Sequence, residues 1–403
     1  MPDSNPLLQR WTLPPWSSVR AEHLVPAITT LVANNQLIIE QVIASQTEQP
    51  NWDDLILAVD EADATLAEAM AVIEYLSMGK SADSAWEKAS AQCSQIAGQY
   101  RTDTLASVPL FRTFQRLEDS AVAVHFDASR KASLAKILRR LRLSGVELPA
   151  AQQEKLARLN RVIGLLEQLF ASQIDLANAA WTKHITDAAR LDGLSPHSQA
   201  QLALKARQAG LDGWLLTLDQ NTCHQIMTYA RDRTLREEYF IAWTTRASDQ
   251  GPQADQFDNE PVLSLLLMLR HEKAEILGFD NFAQLRLNDR MVTSTAQVSA
   301  FLQRQVAQAK PLMEQESKTL QAFADQQGFG TIQAWDQEFL AERLRVQQLD
   351  GALQGLRQYF PLDATVQRLC RFSEHLFGIV IREQIDFDRW HEHVRLYEVS
   401  EHG

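Results

Sequence analysis

Apolar residues recur every three or four positions along most of the chain. From Asn51 onward, Leu55, Val59, Ala62, Leu66, Met70 and Ile73 form one stripe with Asp and Glu opposite, the mark of an amphipathic helix laid on a core. Asn51 is placed to cap it, and Asp53 and Asp54 sit where the helix dipole favours negative charge. The same period predicts helices over 22–44, 81–104, 129–141, 150–175, 195–209, 223–232, 261–277, 295–327 and 364–377. About ten helices with short Gly, Pro and Asp breaks predict an all-α fold, mainly a helical array.

Three stretches depart from that period. Residues 181–186 and the WLLTL run at 214–218 predict a small β-hairpin packed on the helices. Residues 394–399 alternate, with Val394, Leu396 and Glu398 on one face and Arg395, Tyr397 and Val399 on the other, which predicts a short C-terminal strand. The SGVELP run from Ser144 is the clearest internal break, predicting a helical subdomain over 1–145 and a second helical region over 146–403. Within the latter, Thr234 followed by Glu237 fits a capping box, and Leu235, Tyr239 and Trp243 share the face of the helix behind it.

Composition narrows the function classes. A net charge of −12 over 403 residues repels phosphate backbones and argues against a nucleic-acid partner. Arg130, Lys131, Lys136, Arg139, Arg140 and Arg142 form the only basic cluster, read as a solvated helix face, and the nine tryptophans are spread as core packing would spread them. The apolar run at 261–269 is far short of the roughly 20 residues that span a bilayer, so no membrane partner is expected. Cys93, Cys223 and Cys370 are odd in number and scattered, and the first residues lack the apolar core of a secretory signal; both features predict a cytoplasmic protein.

Few residues carry candidate chemistry. His271 and Glu275 lie one helical turn apart, but two ligands without a third make a poor zinc site, and the pair reads as structural. In an extended stretch His391 and His393 would share a face within reach of one metal. No nucleophile signature or glycine-rich phosphate loop is present, and no residue is assigned as catalytic, cofactor-binding or metal-binding.

Residues 213–252 are the most distinctive tract, ending in TRASDQGP from Thr245. With NPLL from Asn5, LPP from Leu13, EHLVPA from Glu22, LSGVELP from Leu143, WTKHITD from Trp181, GWLLTLD from Gly213 and MTYARDRTLREEY from Met227, they form an ordered series. The series continues through LRHEKAEILGFDNFA from Leu269, LRQYFP from Leu356 and RWHEHVRLYEV from Arg389. It resembles the N-terminal part of the M3 zinc oligopeptidases, close to oligopeptidase A and related to thimet oligopeptidase and neurolysin. The resemblance implies a cytosolic helical protein whose deep channel cleaves short peptides, this chain forming one half of the channel wall. In the family, two histidines of His-Glu-x-x-His and a later glutamate hold zinc, and the motif's own glutamate activates water. No His-Glu-x-x-His occurs in the 403 residues. The chain is therefore expected to hold no zinc and to be inactive alone, with short peptides and a complementary downstream polypeptide as partners. The resemblance also implies that the strand at 394–399 lacks its partner strands, which predicts that it pairs with the same segment of a second copy (self-association), adds to a complementary downstream polypeptide, or frays. The alternative is a non-enzymatic truncated homologue acting as a peptide-binding or regulatory module. One local departure stands out: where relatives carry Tyr-Tyr after the Trp-Asp at 335–336, this chain has Phe339-Leu340.

Overall fold

A computed structural model describes residues 5–45, 50–79, 83–349, 356 and 359–401. It is mainly helical, with two small antiparallel strand pairs, and divides into two compact units: Met1–Gln153 with Leu362–Gly403, and Glu154–Pro361. Among the described residues no helix is long and apolar enough to cross a membrane.

The first unit opens with α1 (Ala21–Ser45), α2 (Ala58–Ser77), α3 (Ser84–Leu105), α4 (Val108–Glu118), α5 (Ala121–Val124) and α6 (Ala128–Leu143). The predicted stripe is its core: Leu55, Val59, Ala62, Leu66 and Ile73 are buried, and Asn51 Oδ1 accepts the Asp53 N–H at 2.8 Å. One turn of π-helix, Asp53–Leu57, precedes α2. Asp83, Ser107 and Asp127 cap α3, α4 and α6 by accepting first-turn N–H groups. The expected start of α3 at Ser81 lies outside the described residues, as does part of LRQYFP.

The C-terminal part of this unit corrects one expectation. α15 (Leu362–Phe377) ends at Gly378, whose φ of 65° turns the chain directly into β3 (Ile379–Gln384). The final strand, β4 (Leu396–Glu401), pairs antiparallel with β3, from Ile379 against Glu401 to Gln384 against Leu396. The C-terminal strand therefore has a partner inside the chain. Trp390 fastens the loop between these strands: its ring lies 4.7 Å from Trp16 and 4.8 Å from Tyr75, centroid to centroid, and the Ser17 N–H donates to Asp388 Oδ2 at 2.9 Å.

The second unit contains most of α7 (Ala150–Ala180), then α8 (Pro196–Gln208), α9 (Gln220–Tyr229) and α10 (Arg233–Thr244). These are followed by α11 (Glu260–Ile276), α12 (Phe282–Leu287), α13 (Thr295–Gln326) and α14 (Gln337–Gln348). The expected strands form β1 (Thr182–Ile185) and β2 (Trp214–Thr217), paired antiparallel from Thr182 against Thr217 to Ile185 against Trp214, with α8 inserted between them. Gly213 takes φ +84° just before β2, and a Cβ there would run into the carbonyl of Ile185. Leu216, Ile226, Leu235 and Tyr239 form the buried centre of this region.

α10 is capped differently from the sequence reading. Asp232, not Thr234, is the N-cap, its Oδ1 accepting the Leu235 N–H at 3.1 Å. A carboxylate adds charge to the capping hydrogen bond and faces the positive end of the helix dipole, so it outcompetes the hydroxyl two residues on.

Candidate functional site

The tract at 213–252 builds β2, α9 and α10, and its polar side chains are turned onto one another. Asp219 caps α9 through the Thr222 N–H at 2.9 Å, while its other oxygen accepts Lys205 Nζ, Thr217 Oγ1 and Thr222 Oγ1, each at 2.7 Å. Burial pushes the Asp219 carboxyl up, and the hydrogen bonds from Lys205 and Thr222 outweigh it, leaving the group well below the usual carboxylate range. The fully buried Tyr239 donates its hydroxyl to the Thr217 carbonyl at 2.8 Å and sets its ring against Trp181, 5.4 Å away; burial raises its phenol strongly.

A second network joins α10 to the start of α14. Asp336, with no exposed surface, accepts Arg236 Nη2 at 2.8 Å and Arg233 Nη2 at 2.6 Å. Arg236 is also fully buried, donating further to the carbonyls of Ala230 at 2.7 Å and Trp335 at 3.1 Å. Burial lifts the Asp336 carboxyl, but the hydrogen bonds from Arg233 and Arg236 more than reverse this and hold it below its ordinary range; burial lowers Arg236, with Asp336 opposing. Phe339 and Leu340, at the site of the sequence departure, are both buried, and the Arg236 guanidinium lies 4.1 Å from the Phe339 ring centroid.

TRASDQGP is an ordered loop. Ala247 takes a positive φ of 52° while its carbonyl accepts the Asn259 N–H at 3.1 Å, and Arg246 stacks 3.8 Å from the Trp243 ring centroid. The side chains that make the tract recognisable thus carry structural contacts.

The two sequence candidates for metal binding remain apart from any third ligand. His271 Nε2 lies 3.5 Å from Glu275 Oε1, with both side chains more than half exposed. His391 and His393 lie in a turn, not an extended stretch: the Val394 N–H closes back onto the His391 carbonyl at 3.1 Å, and the His393 N–H donates to His391 Nδ1 at 3.2 Å. That bond occupies one imidazole lone pair, though the rings lie 5.0 Å apart. Among the described residues no three His, Cys, Asp or Glu side chains gather as a metal-ligand set. These donors do not fit the three protein ligands a catalytic zinc requires. Burial pushes the thiols of Cys93 and Cys223 up to about 11, which keeps both protonated at neutral pH and unsuited to nucleophilic attack.

Residues 226–403 match the family model of peptidase family M3. The resemblance extends over nearly the whole chain: oligopeptidase A of Salmonella typhimurium is 33% identical over 397 residues, 98% of this chain and 58% of that protein. Oligopeptidase A of Escherichia coli is 32% identical with the same coverage, and its dipeptidyl carboxypeptidase is 27% identical over 410 residues, 59% of its length. The chain thus spans well under two thirds of these relatives.

Proposed function

We propose that this chain is the N-terminal portion of an oligopeptidase A-like zinc metallopeptidase of family M3, acting on short peptides in the cytoplasm. The observation carrying this reading is the conjunction of end-to-end similarity to oligopeptidase A with a sequence that contains no His-Glu-x-x-His. The zinc and its ligands would come from the part of the relatives' length that these 403 residues do not span, 42% of oligopeptidase A (100 − 58). Alone, this chain does not hydrolyse peptides. Its contribution is scaffolding: the buried Arg236–Asp336 pair ties α10 to the start of α14, and the half-exposed Lys205–Asp219 network ties α8 to the N-terminus of α9. Reading the coding sequence immediately beyond Gly403 tests this. A continuation in any frame that encodes His-Glu-x-x-His supports it, and unrelated sequence favours a peptide-binding or regulatory module instead.

A further inference from the structure

A cavity of about 270 Å³ opens within the first unit, lined by α2, α3, α4 and α6 together with the π-turn before α2. It lies just below the roughly 300–1,000 Å³ typical of small-molecule sites, a size suited to one side-chain-sized body. Its floor is apolar: Leu66, Leu110, Phe114 and Leu141 line it, each at most 6% exposed.

The wall is polar in a particular way. Asp60 and Asp63 stand one turn apart on α2, and Arg101 from α3 and Arg140 from α6 line the same cavity; all four are exposed, so they ring its mouth. Asp63 is engaged by the buried Tyr100, whose hydroxyl donates to Oδ1 at 2.7 Å. Among the described residues, the Asp60 carboxylate and the guanidiniums of Arg101 and Arg140 have no hydrogen-bond or ion-pair partner in the protein. Burial, then the neighbouring Asp63, pushes the Asp60 carboxyl up, as expected of an acid without a cation beside it.

An apolar floor, two acids on one helix and two free guanidiniums at one mouth together describe a particular ligand. An ammonium satisfies the Asp60–Asp63 pair, a carboxylate matches the forked donors of arginine, and an apolar side chain fills the floor. We infer that this cavity binds a hydrophobic amino acid as its zwitterion, free or as a dipeptide. The inference does not depend on the peptidase reading.

Isothermal titration of the full chain with L-phenylalanine and L-leucyl-L-phenylalanine tests it, alongside N-acetyl-L-phenylalanine, which lacks the ammonium, and L-phenylalaninamide, which lacks the carboxylate. Saturable binding is expected for at least one zwitterion, the free acid or the dipeptide being distinguished by which binds tighter, with both blocked forms at least about tenfold weaker. Asp60→Asn should erase the penalty for blocking the amine, and Arg101→Gln with Arg140→Gln the penalty for blocking the acid. Ala67→Phe, which fills the cavity from its exposed wall, should abolish binding while the helical circular dichroism is unchanged. No saturable binding by either zwitterion, equal binding of the blocked forms, or undiminished binding by folded Ala67→Phe overturns the assignment.

Discussion

Arg236 and Asp336, a hundred residues apart in the chain, meet at 2.8 Å with neither side chain exposed. The pair ties α10 to the short helical turn that leads into α14, and Arg233 adds a second, half-exposed donor to the same carboxylate. A buried pair of this kind contributes little net stability over an apolar substitute, but breaking it strands a charge.

Asp336→Ala should therefore cost about 3–5 kcal/mol, because Arg236 keeps its charge in a fully buried site. Replacing both partners, Arg236→Met with Asp336→Leu, should recover most of that loss. Urea unfolding midpoints of the two variants decide the matter, and equal destabilisation by both would mean that stranded charge is not the cause.

Acid should loosen the second unit. Asp219, Asp232 and Asp336 all sit below their ordinary range when folded, so the unfolded state binds protons first as pH falls. Their stabilisation is complete above the unfolded carboxylate pKa of about 3.9 and is lost below it as pH descends through the folded values. Thermal melts from pH 7 to pH 3 should show a steep fall below about pH 4. Asp219→Asn should start lower and fall less steeply.

Two glycines separate backbone strain from steric collision. Gly210 takes φ +73° with nothing near the position of a Cβ, whereas Gly213 takes φ +84° with its Cβ position against the Ile185 carbonyl. Gly210→Ala should cost about 1–2 kcal/mol from the left-handed backbone alone. Gly213→Ala should cost clearly more, since β1 and β2 must move apart at Ile185 and Trp214. Similar chemical-denaturation midpoints for the two variants would contradict this.

Trp390→Ala should loosen the loop between β3 and β4 from α2 and from the segment before α1 by removing its ring contacts with Tyr75 and Trp16. Hydrogen exchange should then quicken in β3 and β4 and stay unchanged in α9 and α10. Unchanged protection in the strands would show that β-pairing and the Ser17–Asp388 hydrogen bond suffice.

How much of this was legible depended on the range of each interaction. The α2 stripe was readable because helix period alone decides which of Leu55, Val59, Ala62, Leu66 and Ile73 turn inward, and both strands of β1 and β2 stood out as breaks in that period. β3 was not, since IVIREQ is short and follows the helix with only Gly378 between them. The cap at Asp232 was missed because Asp232 and Thr234 both suit the role and only the backbone path chooses between them. No spacing rule links Arg236 to Asp336, or brings Asp60, Arg101 and Arg140 from three helices to one cavity mouth. The lack of His-Glu-x-x-His, by contrast, is a property of the sequence itself.

The most direct test of the account is the metal content and peptidase activity of this chain purified by itself. It predicts no stoichiometric zinc by metal analysis and no cleavage of a short fluorogenic peptide. One zinc per chain together with chelator-sensitive cleavage would contradict it.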